Sequence, residues 1–146
     1  MKNQTIADAI NSMFVKRKTT EGVVPRVKPV HCVNGLSLSI QASRLHYCYP
    51  RNNEGPYEEF EVGFPSQKPP ESWRERCIGD FENKACESVY ANVSLSQIVE
   101  FIELHGGIKS EQVPQFILPE PKQPVKRNFL EQRRFNLTMQ DMGFAV

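Results

Sequence analysis

Apolar and polar residues alternate along two stretches of the chain, 36–43 and 57–64. The first has apolar residues at every second position and polar residues between them: Leu36, Leu38, Ile40 and Ala42 against Ser37, Ser39, Gln41 and Ser43. The second repeats the alternation with Phe60, Val62 and Phe64 against Tyr57, Glu59 and Glu61. Because successive strand side chains point to opposite faces, each stretch predicts a strand with one face on a core.

Shorter strands are predicted on either side of this pair. Residues 30–33 precede Asn34-Gly35, which favours a tight type I′ hairpin because both residues tolerate positive φ angles. Residues 46–49 could prolong the second strand past a bend. Residues 88–92 are compatible with a short strand and residues 113–118 with an edge strand.

The clearest predicted helix runs to His105. Ser94 and Gln97 have the spacing of a capping box, and Gly106-Gly107 predicts a left-handed end. Its apolar stripe, formed by Leu95, Ile98, Val99 and Ile102, would cover the apolar face of the sheet.

A second, amphipathic helix is predicted from Thr5 to about Lys16. Thr5 and Asp8 have capping-box spacing, and the apolar stripe is Ile6, Ile10, Met13 and Phe14. This stripe would pack on the core of its own subunit or, alternatively, dock on another subunit or a host protein.

The remaining segments give weaker signals. Residues 19–29 predict a linker, 125–135 a basic helix and 139–146 a loosely held end, while 77–86 predict no element. Ser72 could cap a helical turn that includes Trp73.

Together these elements predict an α+β fold. A small antiparallel sheet of three to five strands is covered by one main helix, with an N-terminal amphipathic helix and a basic C-terminal tail. The expected division is residues 1–29 as N-terminal helix and linker, 30–118 as a ligand-binding core and 119–146 as a C-terminal extension. At 146 residues the chain has the length of one compact domain.

Charge changes this picture little. The formal net charge is +1, which argues against a dedicated nucleic-acid binder. Basic residues nevertheless flank an acidic middle: Lys16, Arg17, Lys18, Arg26 and Lys28 before it, and Lys122, Lys126, Arg127, Arg133 and Arg134 after it. These arms could bind phosphate, contact an acidic neighbouring subunit or simply be solvated surface.

We expect a cytoplasmic protein with reduced thiols and no membrane contact. No stretch of the sequence approaches membrane-spanning length, and none resembles a signal peptide. The four cysteines include no CxxC pair.

The first candidate chemistry lies between the two alternating stretches. Arg51 follows Pro50 and is surrounded by Tyr47, Tyr49, Asn52 and Tyr57. A guanidinium fork binds phosphate and tyrosine faces stack on bases, so this group suits a nucleotide-like ligand. The alternative is an exposed turn arginine among packed tyrosines.

Two other chemistries have weaker patterns. A zinc site could be drawn from His31, Cys32, His46, Cys48 and Cys86, but their spacing gives it little support. Glu59 with Glu61 could do acid and base work, and Cys48 with His46 could be a nucleophile and its base, but neither pair has a third orienting group. No GxGxxG or GxxxxGK loop is present.

The strings SIQASRLHYCYPRNNEGPYEEFEVGFPS and VYANVSLSQIVEFIELHGGI contain QAS, HYC, PR, GPY, EVGFPS and HGG in that order. This order resembles a family of small phage proteins, the anti-Thoeris sponges of the first-described type, which sequester cyclic ADP-ribose signals. The resemblance covers about residues 33–108. It implies an α/β protein of the host cytoplasm that needs no cofactor and assembles into homo-oligomers, from dimers to hexamers. It also implies that the signal is bound without being cleaved.

In that family the ligand lies in a recessed pocket completed by a neighbouring subunit, and some members hold cyclic oligonucleotides at separate sites. Carried over, the resemblance implies ten ligand-binding residues: Gln41, Ser43, His46, Tyr47, Arg51, Tyr57, Glu61, Phe64, Tyr90 and Asn92. Arg51 would contact phosphate or ribose, the tyrosines and Phe64 would border adenine, and Gln41 with Asn92 would supply polar contacts.

The chain departs from the family pattern in two places. Asn92-Val93-Ser94 stands where a turn with glycine and proline is expected, and the two terminal extensions could remodel assembly or recruit a host protein. The functional alternative is therefore a small phage protein that binds nucleic acid or a host factor through its basic arms. A zinc-stabilised regulator is a third possibility.

Overall fold

The computed structural model describes residues 3–110 and residue 112. Five strands form one antiparallel sheet, in the order β1-β2-β3-β5-β4. The strands are β1 (Val30–His31), β2 (Ser37–Gln41), β3 (Glu59–Gly63), β4 (Cys77–Ile78) and β5 (Val89–Ser94). The α-helices are α1 (Asn3–Ser12), α2 (Phe81–Lys84) and α3 (Leu95–Leu104), with 3₁₀ turns at Glu71–Arg76 and Ala85–Glu87. The predicted α+β class is confirmed.

One face of the sheet is the core. Its strands bury Leu38, Ile40, Phe60, Val62, Tyr90 and Val93, and α3 buries Ile98, Val99, Phe101 and Ile102 against them. Trp73 from the first 3₁₀ turn fills the space between sheet and helix, with its ring centroid 5.6 Å from that of Tyr90 and 5.0 Å from that of Phe101. Leu95, the first residue of the predicted stripe, is only partly buried.

Helix α1 packs beside α3 in the same core, so two helices contribute to this side of the sheet. Ile6, Ala9 and Ile10 are fully buried, and the Phe14 ring lies 5.4 Å from Phe60 of β3. The apolar stripe of α1 therefore packs on the core of its own subunit, as the first of the two predicted alternatives stated.

The predicted start and end of α3 are confirmed. Ser94 Oγ accepts from the Gln97 backbone N–H, and the Gln97 side chain accepts from the Ser94 N–H. Gly106 and Gly107 follow the helix with φ of 87° and 86°. These two positive angles are accessible to glycine without steric cost, so the chain can leave the helix toward β1.

Three local predictions are wrong. Thr5 lies inside α1 and caps nothing, because the helix already includes Asn3. In the turn after β1, Gly35 has positive φ but Asn34 does not, so the loop resembles a three-residue hairpin turn rather than type I′. Ser72 lies within the 3₁₀ turn, whose N-cap position is occupied by Pro70 and has no side-chain hydrogen bond.

The ends of β3 also differ from the alternation predicted by the sequence. Phe64 has φ of 50° and its side chain is 58% exposed, because the chain leaves the strand after Gly63. Tyr57 lies before the strand begins and is buried against Phe14 and Phe60, although the pattern placed it on the polar face.

Residues 77–86, for which the sequence predicted nothing, form β4 and α2. Short elements of two and four residues leave no periodic signal. The strand predicted at 113–118, the helix at 125–135 and the end at 139–146 lie outside the described residues. Within residues 3–110, no helix has the length and apolar character needed to cross a membrane.

Candidate functional site

The loop between β2 and β3, residues 42–58, carries an exposed arginine stacked on an exposed tyrosine. The Arg51 guanidinium carbon lies 5.5 Å from the centre of the Tyr47 ring, and its Nε donates to the Arg44 carbonyl at 3.2 Å. Tyr47 is 48% exposed and Tyr49, two residues on, is 57% exposed. The loop thus exposes two aromatic side chains and a cation, and the cation lies against one of the two rings.

The Tyr47 backbone is fixed to the two central strands. Its N–H donates to a carboxylate oxygen of Glu61 at 3.0 Å, and its carbonyl accepts from the Asn92 N–H at 3.1 Å. Asn92 Nδ2 donates to Glu59 at 2.8 Å. The exposed ring of Tyr47 is therefore carried on a backbone bonded to one β3 side chain and to the β5 backbone.

A bulge in β5 makes this arrangement possible. β3 pairs with β5 so that Phe60 faces Val93 and Val62 faces Tyr90, which leaves two β5 residues opposite Glu61. The second of these, Asn92, has φ of 53°. Asparagine tolerates this left-handed conformation better than most residues, and here it turns its N–H toward Tyr47.

Buried Ser43 and half-buried His46 are joined in a turn within the loop. Ser43 Oγ accepts from the Leu45 N–H at 3.0 Å and lies 2.7 Å from His46 Nδ1. Burial lowers the pKa of His46, and the positive charges of Arg26, Arg17 and Arg51 add to this effect, while Glu61 opposes it. A neutral imidazole that accepts the Ser43 hydroxyl proton at Nδ1 fits this setting.

The side chains considered as nucleophiles and bases are buried or hydrogen-bonded within the loop and to the neighbouring strands. Ser43 is buried and its hydroxyl is bonded within the turn. Cys48 is also buried, its thiol donates to the Ser43 carbonyl at 3.1 Å, and burial raises its pKa. His46 bonds the serine rather than Cys48, while Glu59 and Glu61 bond Asn92 and the Tyr47 N–H.

Six of the ten predicted site residues are thereby brought together: Ser43, His46, Tyr47, Arg51, Glu61 and Asn92. Gln41 lies opposite Glu61 in the β2–β3 register but is buried and fully engaged. Its side-chain amide exchanges two hydrogen bonds with the Val27 backbone, at 3.0 and 3.1 Å, and so ties the linker to the sheet.

Three predicted site residues lie elsewhere. Tyr90 is fully buried in the core, where its hydroxyl donates to the Ala85 carbonyl at 2.7 Å. Tyr57 packs on Phe14 and Phe60 rather than beside Arg51. Phe64 is exposed, but it follows the other end of β3, about 10 Å along the strand from Glu61 at ~3.3 Å per residue.

The N-terminal segment supplies contacts that the sequence analysis missed. We call residues 13–26 the strap. The Gly22 carbonyl accepts from Arg44 Nε at 2.8 Å and from Asn53 Nδ2 at 3.0 Å. Arg17 Nη2 donates to the Tyr57 hydroxyl at 2.9 Å. These contacts join residues more than 20 positions apart, and the sequence has no pattern that indicates them. The basic character of Arg17 and its neighbours was the one feature of this segment that could be noted.

The residues considered for zinc do not converge. His31 is exposed on β1 while Cys32 beside it is buried, and burial raises the pKa of the Cys32 thiol to about 11. Cys86 is exposed in the second 3₁₀ turn. In the part of the chain that the structure describes, no three histidine, cysteine or acidic side chains are grouped to hold a metal ion.

An open groove of about 400 Å³ lies along the strap, lined by Thr20, Glu21, Val23, Val24, Pro25 and Arg26. Arg26 contributes positive charge to this groove, and the same charge helps to lower the pKa of His46. The groove therefore adjoins the β2–β3 loop on the side where Gly22 is bonded to Arg44 and Asn53.

Compared with protein-family models, with curated proteins and with solved structures, the chain matches none. What the loop can bind therefore follows from its own chemistry and from the order of motifs in the sequence.

Proposed function

We propose that this protein binds an anionic, nucleotide-like signal at the β2–β3 loop and sequesters it without cleaving it. The observation that carries the proposal is the exposed Arg51 guanidinium over the exposed Tyr47 ring, on a loop that also exposes Tyr49. Exposed aromatic side chains on a backbone fixed by hydrogen bonds are more typical of a binding surface than of a turn that serves only to connect strands.

Each group matches one part of such a ligand. The guanidinium of Arg51 has a planar fork for phosphate oxygens, and among the described residues only its Nε is hydrogen-bonded. The rings of Tyr47 and Tyr49 offer stacking surfaces, and stacking contributes about 1–3 kcal/mol per base. The guanidinium groups whose positive charges lower the pKa of His46 also raise the positive potential around the loop.

Binding without catalysis agrees with the protonation states at the site. The pKa of Cys48 is raised by burial, which disfavours the thiolate, and the Ser43 hydroxyl is inaccessible. Lowering the free concentration of a signal requires only tight binding, so no catalytic group is needed for this function.

The order of motifs narrows the ligand class to cyclic ADP-ribose isomers, with cyclic oligonucleotides as a second possibility. On this proposal the protein is a phage anti-defence protein that acts in the host cytoplasm as a homo-oligomer. The competing proposal is binding of nucleic acid or a host factor through basic arms. Arg17 does not favour it, because its guanidinium points inward to Phe14 and Tyr57.

Calorimetry against a panel of cyclic ADP-ribose isomers and cyclic di- and trinucleotides tests the proposal. We expect tight binding of one class and a loss of about 100-fold in affinity for Arg51→Ala, since charge-assisted hydrogen bonds and a stacked cation are removed together. Arg76→Ala, which removes an exposed arginine from the first 3₁₀ turn, is the matched control and should bind as the unaltered protein does.

Ligand released by denaturing the complex should be chemically intact. Binding to no member of the panel would refute the proposal. Recovery of a hydrolysed product would show that the protein cleaves the signal instead of sequestering it. Affinity for DNA or RNA that falls steeply with salt, and is unchanged by Arg51→Ala, would favour the basic-arm alternative instead.

A further inference from the structure

Arg17 is held in an unusual environment for a cation. Its guanidinium carbon lies 4.9 Å from the centre of the Phe14 ring and 5.8 Å from that of Tyr57. Burial lowers its pKa, and among the described residues this effect is opposed by Tyr57 and Cys48, neither of which carries charge at neutral pH. Within the described residues no carboxylate bonds to Arg17, and its Nε is buried without a hydrogen-bond partner.

The bonds that Arg17 makes end on the β2–β3 loop. Nη2 donates to the Tyr57 hydroxyl at 2.9 Å and, at 3.5 Å, to the Asn53 carbonyl. The Tyr57 hydroxyl in turn donates to the Asn52 carbonyl at 2.7 Å. One guanidinium thus reaches two consecutive backbone carbonyls of the loop, one directly and one through a phenol.

The rest of the strap continues the same connection. Asn53 bridges Gly22 of the strap and Arg44 of the loop, since its Nδ2 donates to the Gly22 carbonyl and its Oδ1 accepts the Arg44 N–H at 3.0 Å. The Arg44 carbonyl then accepts from Arg51 Nε. A continuous series of hydrogen bonds therefore runs from the strap to the arginine proposed to bind phosphate.

We infer that Arg17 is a positioning residue of the proposed ligand site: it holds residues 52–57, and through them Arg51, in the binding conformation without contacting the ligand. The inference rests on the proposed function and extends it to the N-terminal segment. The positive charge of Arg17, to which no carboxylate bonds among the described residues, also adds to the positive potential that attracts an anion.

Two substitutions at Arg17 and a control separate these contributions. Arg17→Gln removes both charge and fork, Arg17→Lys keeps the charge but loses the planar fork, and Lys18→Gln removes an exposed charge next in sequence. Affinity for the panel ligand is measured by calorimetry, loop order by NMR amide exchange at residues 52–57, and intactness of the fold by thermal unfolding.

For Arg17→Gln we expect amide exchange at residues 52–57 to quicken about tenfold and affinity to fall about tenfold, which corresponds to one lost hydrogen bond to a charged group. Arg17→Lys should loosen the loop similarly but retain the salt dependence of binding. Lys18→Gln should leave exchange and affinity within about twofold, because an exposed charge contributes little.

As a second readout, the Tyr57 phenol should ionise at higher pH in Arg17→Gln, because Arg17 lowers its pKa against the stronger opposite effect of burial. Unchanged exchange in Arg17→Gln, or a loosened loop with unchanged affinity, would overturn the inference. If Arg17→Gln does not fold, Arg17→Lys decides by the same two criteria. If the unaltered protein binds none of the panel, the proposed function fails with the ligand part of the inference, whereas exchange still decides whether Arg17 holds the loop.

Discussion

The core and the β2–β3 loop are held by different interactions. On the α3 side, helices and strands bury fully enclosed side chains such as Ile98, Phe60 and Trp73, and the contacts are apolar. In the β2–β3 loop, the chain is held mainly by hydrogen bonds to groups distant in sequence. The Tyr47 backbone bonds the Glu61 carboxylate and the Asn92 N–H, and the strap bonds Arg44, Asn53 and Tyr57. One region is fixed by packing and the other mostly by polar contacts.

This difference separates folding from binding. Apolar burial stabilises the whole domain, whereas each polar contact in the loop determines where one backbone segment lies and contributes only about 1 kcal/mol. The loop can therefore expose Tyr47 and Tyr49 on a backbone fixed by hydrogen bonds, although Cys48 between them is buried. Substitutions there should change ligand affinity more than stability.

The largest expected contrast is between truncating an apolar side chain in the core and truncating one in the β2–β3 loop. Ile98→Ala, in the core face of α3, should lower the free energy of unfolding by about 2–5 kcal/mol, because it leaves a cavity at a fully buried position. Leu45→Ala, at a loop position that is 54% exposed, should change it by less than about 0.5 kcal/mol. Urea unfolding of both variants measures this contrast. Equal losses would mean that the loop is part of the cooperative core.

The sequence predicted the packed side far better than the loop. Alternation identified β2 and β3, and the Ser94–Gln97 capping box with its apolar stripe identified α3, because each signal is repeated within ten residues. The strap's contacts, such as Gly22 with Arg44, leave no such trace, since a backbone carbonyl can accept from any donor that the fold brings near.

The candidate site was predicted in part for the same reason. Tyr47 and Arg51 are close in sequence and lie together in the structure. Tyr57, also grouped with Arg51 by its place in the sequence, and Tyr90, assigned by motif alone, are both buried in the core. Residue type did not distinguish an exposed tyrosine from a packed one. That distinction depends on tertiary contacts, here with Phe14 for Tyr57 and with Trp73 for Tyr90.

A smaller effect is expected where packing and hydrogen bonding meet in one residue. Tyr57→Phe keeps the ring contacts with Phe14 and Phe60 but removes the hydroxyl that bonds Arg17 and Asn52. We expect a loss of about 1–2 kcal/mol in unfolding free energy, because the buried Arg17 donor loses its partner. Tyr49→Phe, at an exposed position, is the matched control.

Equal stability of the Tyr57→Phe and Tyr49→Phe variants in thermal and urea unfolding would show that the aromatic contacts alone secure this end of the loop. The strap contact from Arg17 would then have no measurable energetic role, and the distinction between a packed region and a hydrogen-bonded region would not hold at Tyr57.

The smallest effect concerns pH and belongs to the loop alone. Burial lowers the pKa of His46 below its ordinary value of 6.5, helped by Arg26, Arg17 and Arg51 and opposed by Glu61. As the pH falls through 6.5, the unfolded chain takes up a proton before the folded one does, so stability declines until the pH is below the folded-state pKa. His46→Asn, which keeps an acceptor for Ser43 without a titrating ring, should reduce this decline between pH 7 and 5, as measured by urea unfolding. An identical decline in both proteins would assign the pH dependence to other groups. It would also mean that folding does not shift the pKa of His46, since a histidine with the same pKa in both states takes up protons equally in both.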